Sequence, residues 1–104
     1  MKKLIEKLNN LKITQTSIDW IEDIPEDIYK EYFENNDIVE YDLDIDKHRW
    51  YELSTDVCEI DNKYIGVRHI SQLYSEMSSC EDIYHTLEFF EMKQVKTITY
   101  KKIS

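Results

Sequence analysis

At Ile38 the hydrophobic period of this chain changes from helical to twofold, and that switch fixes the fold class. Before it, Leu4, Ile5, Leu8 and Leu11 recur at helical spacing with lysines and asparagines between them. This predicts a short amphipathic helix over Lys2 to Leu11. "KITQTS" reads as a connector. In "SIDWIEDIPEDIYKEYFENND" the single proline, Pro25, suits the first residue of a helix, with Glu26 and Asp27 at the positive end of its dipole. Ile28, Tyr32 and Phe33 form its expected buried stripe, and Asn35-Asn36 its stop.

After Ile38, "IVEYDLDID" alternates, and "HRWYELSTDVCEI" is rich in β-branched and aromatic residues. "DNK" at 61–63 predicts a hairpin turn into the strand "YIGVRHI", where Gly66, the only glycine, marks a bulge or close packing. Ser71 is placed to cap a helix through "QLYSEMSS", with a second helical piece at "CEDIYH". "TLEFFEMKQVKTITYKK" reads as one last strand with a bulge near Glu91-Met92. Sequential strands joined by short turns imply an antiparallel meander. The expectation is an α+β fold in one domain over 1–104: about four antiparallel strands, with N-terminal helices and one inserted helix packed on one face.

Charge narrows the partners. The chain carries 22 acidic residues against 13 lysines and arginines, a formal charge of −9. Direct binding to nucleic acid or to an anionic membrane is disfavoured, because both are negative. Between Ser17 and Asn62 there are sixteen acidic residues and three basic ones, a local net of −13, while the remainder is net +4. With 41 % hydrophobic residues and eight tyrosines the chain is not an acidic disordered tail. Cys58 and Cys80 form no C-x-x-C pair and read as free thiols of a reducing compartment. The lysines of the N-terminus are followed by no long apolar run, so a soluble, cytoplasmic protein is expected.

The densest acidic motif is "VEYDLDID", with Glu40, Asp42, Asp44 and Asp46 at alternate positions. As a calcium loop starting at Asp42 it would need glycine at position six and glutamate at position twelve. Lys47 and Leu53 stand there instead. Edge protection explains a polar face on a strand, but not four charges of one sign. Alternate strand residues lie about 6.7 Å apart, comparable to successive phosphates of a nucleic-acid strand. The four carboxylates, joined by Asp19, Glu22, Asp23, Glu26 and Asp27, are thus expected to form a continuous exposed face that a basic groove accepts. Tyr41, Trp50 and Tyr51 are the expected anchors, with one of Trp50 and Tyr51 in the core and the other exposed.

Other chemistry finds little support. His48, His69 and His85 show no ligand-pair spacing with each other or with the cysteines. A Cys58–His69 nucleophilic pair lacks any mark of activation. With one glycine, the chain has no phosphate loop or nucleophile elbow. No catalytic residue, metal ligand or cofactor is therefore assigned.

In size, charge and composition over its full length, the sequence resembles the small acidic proteins of phages and mobile elements, among them the anti-CRISPR proteins. That resemblance implies a non-enzymatic inhibitor of a basic nucleic-acid-handling protein, with a CRISPR-Cas nuclease as the favoured target. The alternative is a phage or host assembly protein that forms a homodimer or larger oligomer through a sheet edge or the N-terminal helix. A small hydrolase or metal-dependent enzyme ranks third.

Overall fold

The twofold segments pair into a five-stranded antiparallel meander, in order β1 (Ile38–Lys47), β2 (Tyr51–Ile60), β3 (Lys63–Leu73), β4 (Glu88–Val95) and β5 (Thr99–Lys102). This is a computed structural model, and it describes residues 2–74, 79–95 and 99–103. With α1 (Lys2–Asn10), α2 (Glu26–Ile28) and short 3₁₀ turns at Trp20–Asp23 and Cys80–Ile83, the fold is α+β. No helix among the described residues is long and apolar enough to cross a membrane.

The β2–β3 hairpin turns on Asp61 and Asn62, both left-handed at φ 51° and 65°. Such a pair of positive angles matches the twist of the flanking strands, and Asp and Asn tolerate it. Ile60 then faces Lys63, and Cys58, Ile60, Ile65 and Val67 fall on one face with Phe89 of β4. The helices cover that face. Leu8, Trp20, Ile24, Ile28 and Phe33 are all buried against it. Leu11 lies beyond the end of α1 and is exposed, so the helical stripe stops one turn earlier than the spacing predicts.

Beyond Pro25, α2 passes into a π-helical turn, Tyr29–Phe33, closed by the Glu34 N–H donating to the Tyr29 carbonyl at 2.7 Å. Residues five apart diverge on an α-helix; the wider turn brings Phe33 round to the face of Ile28. The Asn36 amide donates to the Tyr32 carbonyl at 2.7 Å, making the asparagines the predicted stop.

Two buried or half-buried amides act as strand partners. Asn9 donates to the Phe89 carbonyl (2.8 Å) and accepts from the Phe89 N–H (2.9 Å). Gln15, with no exposed surface, accepts from the Ile70 N–H (2.6 Å) and donates to the Ile70 and Ser17 carbonyls (3.0 and 2.8 Å). The "KITQTS" connector is therefore more than a link. Ile13 and Gln15 bond the backbone of Leu87 and His85, pairing the connector with the segment that leads into β4.

Two expectations are corrected. The final segment is not one strand with a bulge at Glu91-Met92; β4 pairs regularly and doubles back to β5. "VKTIT" carries no Gly, Pro or Asn signal, so hydrophobic pattern alone does not mark the reversal. Ser71 begins no helix either, because Ser71 to Leu73 continue β3. Tyr74 is not helical either, its N–H donating to the Trp50 carbonyl; 75–78 lie outside the described residues, while "CEDIYH" does contain a short turn capped by Ser79.

Gly66 marks close packing. A Cβ there would overlap the Phe90 ring and lie 2.5 Å from Met92 Sδ, the two side chains that lie over it on the face away from the helices. Gly66→Ala is expected to lower stability by about 1–3 kcal/mol through this overpacking. Met92→Ala in the same chain should recover part of the loss, as read from the urea midpoint; no recovery would place the cost elsewhere.

Candidate functional site

β1 does not hold its four carboxylates in a row. Glu40 faces Val57, Leu43 faces Thr55 and Asp46 faces Leu53, so three residues of β1 twice stand against two of β2. Each mismatch is a bulge, and the chain absorbs it at Asp42 and Asp44, which are left-handed at φ 56° and 49°. Aspartate is among the few residues that accept this conformation at modest cost. The D-x-D pattern thus has a backbone role as well as a charge.

The bulges send neighbouring carboxylates to opposite sides. Asp42 lines a cleft of about 430 Å³ with Trp20, Tyr41, Asp56 and His69, beside Asp19. Asp44 lines a separate cleft of about 260 Å³ with Arg68, Phe90 and Lys102. Arg68 donates to the Asp44 carbonyl at 2.6 Å and to the Thr55 hydroxyl at 3.1 Å, bracing the bulge. The expected row at phosphate-like spacing is therefore corrected for Glu40, Asp42, Asp44 and Asp46.

The preceding acids divide between local work and open surface. Asp19 accepts from the Ile21 N–H and caps the 3₁₀ turn. Asp23 binds the Thr16 and Ser17 N–H groups and the Thr16 hydroxyl, pinning the connector to that turn. Glu26 pairs with Lys30 at 3.1 Å on an exposed surface, an interaction of little net weight. Glu22, Asp27, Asp44 and Asp46 are exposed. Between described residues, Lys30–Glu26 is the one ion pair joining a lysine or arginine to a carboxylate.

The expected anchors are reached only in part. Tyr41 is 60 % exposed, Ile45 54 % and Trp50 40 %, with the Arg49 guanidinium 4.9 Å from the Trp50 ring centre. Tyr51 is half-buried and stacks on His48 at 4.6 Å. Neither Trp50 nor Tyr51 enters the core, contrary to the expectation for one of them; Trp20 takes that place.

The most specific constellation is one that the charge pattern does not single out. Asp56 and His69 are buried on the helix-covered face of β2 and β3, at 4 % exposure each. The Trp20 indole N–H donates to Asp56 Oδ2 at 2.8 Å, and the Asp42 backbone N–H donates to Oδ1 at 3.1 Å. Ser54 donates to the Asp42 carboxylate at 3.0 Å. His69 Nδ1 lies 3.1 Å from the Ile70 carbonyl, which can only accept, so Nδ1 carries a proton. Nε2 is buried without a hydrogen-bond partner. Asp56 Oδ1 is 3.0 Å from it but out of line for such a bond.

Burial alone would push the Asp56 carboxyl upward. The His69 ring, the Trp20 N–H and the Asp42 N–H outweigh burial and hold it below its ordinary value, as a carboxylate. Parity could have found this pair. Once the turn is set at 61–62, Asp56 faces Val67, and His69 falls one pair further along the same face, among residues that are otherwise core.

Both cysteines are free and buried. Burial pushes the Cys58 thiol up to about 12 and the Cys80 thiol upward as well, so neither is an activated nucleophile. No protein-family model, curated protein or solved structure matches the chain.

Proposed function

We propose that the chain is a non-enzymatic binding protein whose β1 side occupies a basic site on a second protein. One observation carries this reading. The edge strand and the turn after it expose Val39, Tyr41, Ile45 and Trp50 among carboxylates that, among the described residues, few lysines or arginines pair with. Large exposed apolar groups in an acidic field favour a protein partner with a cationic, partly apolar cleft over solvent alone. Nucleic-acid-handling proteins carry such clefts, and a CRISPR-associated nuclease is the first candidate. Contact there would exclude nucleic acid and so inhibit. The bulges remove regular phosphate spacing, so recognition would rest on net charge and aromatic anchors.

The test is competition with DNA for a panel of such nucleases across a salt series. Binding should weaken as salt rises. Reversing Glu22, Asp27 and Asp46 to lysine, all exposed positions, should weaken it by about tenfold or more by removing steering and rim contacts. Tyr41→Ala should cost a similar factor if Tyr41 is an anchor. Binding indifferent to salt and to both changes would count against the reading. A stable homo-oligomer sealed through β1, with the acids left in solvent, would favour the assembly alternative.

A further inference from the structure

We propose that Asp42, Asp56 and His69 bind one divalent transition-metal ion of the Zn²⁺ type. One ligand atom from each of the three lies within 4.8 Å of the other two. They come from three adjacent strands, so the sheet itself fixes their spacing. The cluster alone would be weak ground. The second observation is His69, 4 % exposed, whose Nε2 is buried without a hydrogen-bond partner and lies 3.0 Å from Asp56 Oδ1.

The surroundings orient each donor as metal sites require. The Ile70 carbonyl holds the proton on Nδ1, which leaves the Nε2 lone pair free to coordinate. Trp20 fixes one oxygen of Asp56, and the Asp42 N–H braces the other. Ser54 fixes Asp42 through its Oδ1. Each carboxylate keeps lone pairs beyond those already used.

Charge and donor type select the ion. Two carboxylates with an imidazole coordinating through Nε2 would place two negative charges at the floor of a cleft, which a dication offsets. One nitrogen and two oxygens suit zinc or its first-row neighbours. Calcium is disfavoured, since it takes six to eight oxygens. Asp42 is exposed at the cleft mouth, so an ion has a route in and water can complete its shell.

The experiment is a ZnCl₂ titration of the intact chain in a non-coordinating buffer. Calorimetry would give stoichiometry, and ring-nitrogen NMR would follow His69. One ion per chain should bind, with the His69 Nε2 resonance shifting at saturation. Asp42→Asn keeps an acceptor for Ser54 and tolerates the left-handed backbone. It should nevertheless weaken binding about tenfold or more, since even outer partners of metal ligands alter affinity by roughly 10–100-fold. His69→Gln should abolish the one-to-one phase, while Asp37→Asn, at an exposed position that does not itself line the cleft, should leave it intact. Unsaturable uptake, equal loss in Asp37→Asn, or a His69 ring doubly protonated at saturating zinc would overturn the site. It would then be a buried histidine–carboxylate ion pair. No binding partner enters this measurement, so its outcome is independent of the proposed inhibition.

Discussion

Gln15→Leu is expected to destabilise the fold by about 3–5 kcal/mol, although leucine suits a buried position. The side chain of Gln15 serves the N–H and the carbonyl of Ile70 and the carbonyl of Ser17. The Ile70 carbonyl keeps its bond from His69 Nδ1, but the Ile70 N–H and the half-buried Ser17 carbonyl lose theirs, and a buried polar group left without a partner costs about 1–3 kcal/mol. Ile70 sits where β3 loses register against β2, with Glu52 facing Gln72 and Leu53 facing Ile70. No neighbouring strand is placed to take over, because β4 pairs only as far as Arg68. A typical domain holds roughly 5–15 kcal/mol in all, so the loss should appear as a large fall in the urea midpoint. A change below about 1 kcal/mol would mean that water or a backbone shift replaces the amide. Gln15→Glu should be no milder, since it keeps one acceptor and buries a charge.

The second large effect is at Trp20, where two substitutions separate packing from hydrogen bonding. Trp20 is 2 % exposed, meets Phe33 edge-on with ring centres 6.0 Å apart, and donates to Asp56. Trp20→Ala removes all three and should cost about 3–5 kcal/mol from lost burial and the cavity. Trp20→Phe retains most of the ring but strips Asp56 of a buried donor, for about 1–3 kcal/mol. If the indole N–H matters as argued, adding Asp56→Asn to Trp20→Phe should be markedly less than additive. Strict additivity would show that the 2.8 Å contact carries little coupling.

The fold was legible where pattern and turn chemistry agree. The period change at Ile38, the Asp61-Asn62 turn and the single glycine each point to the element that forms there. It was illegible where polar side chains replace strands. Asn9 and Gln15 look like ordinary residues of a helix end and a connector, and only the three-dimensional register shows which backbone groups they complete. The acidic strand misled for a related reason. Strict alternation assumes an unbroken pleat, whereas Asp42 and Asp44 are residues that let the pleat break. Asp56 was passed over and His69 was weighed only against Cys58 and the other histidines, because the meeting of Asp56 with His69 depends on the pairing of β2 with β3.

The Asn9–Phe89 pairing, between residues 80 positions apart, has a consequence for the order of folding. During synthesis α1 emerges early, yet the groups that hold it are translated only after the whole β1–β3 meander. Closing so long a loop is entropically costly, and such contacts form late and slow the search. A nascent chain would therefore carry the apolar side of α1 without its β4 cover until β4 has been made, and ribosome-bound holdases would be the natural guards of that interval.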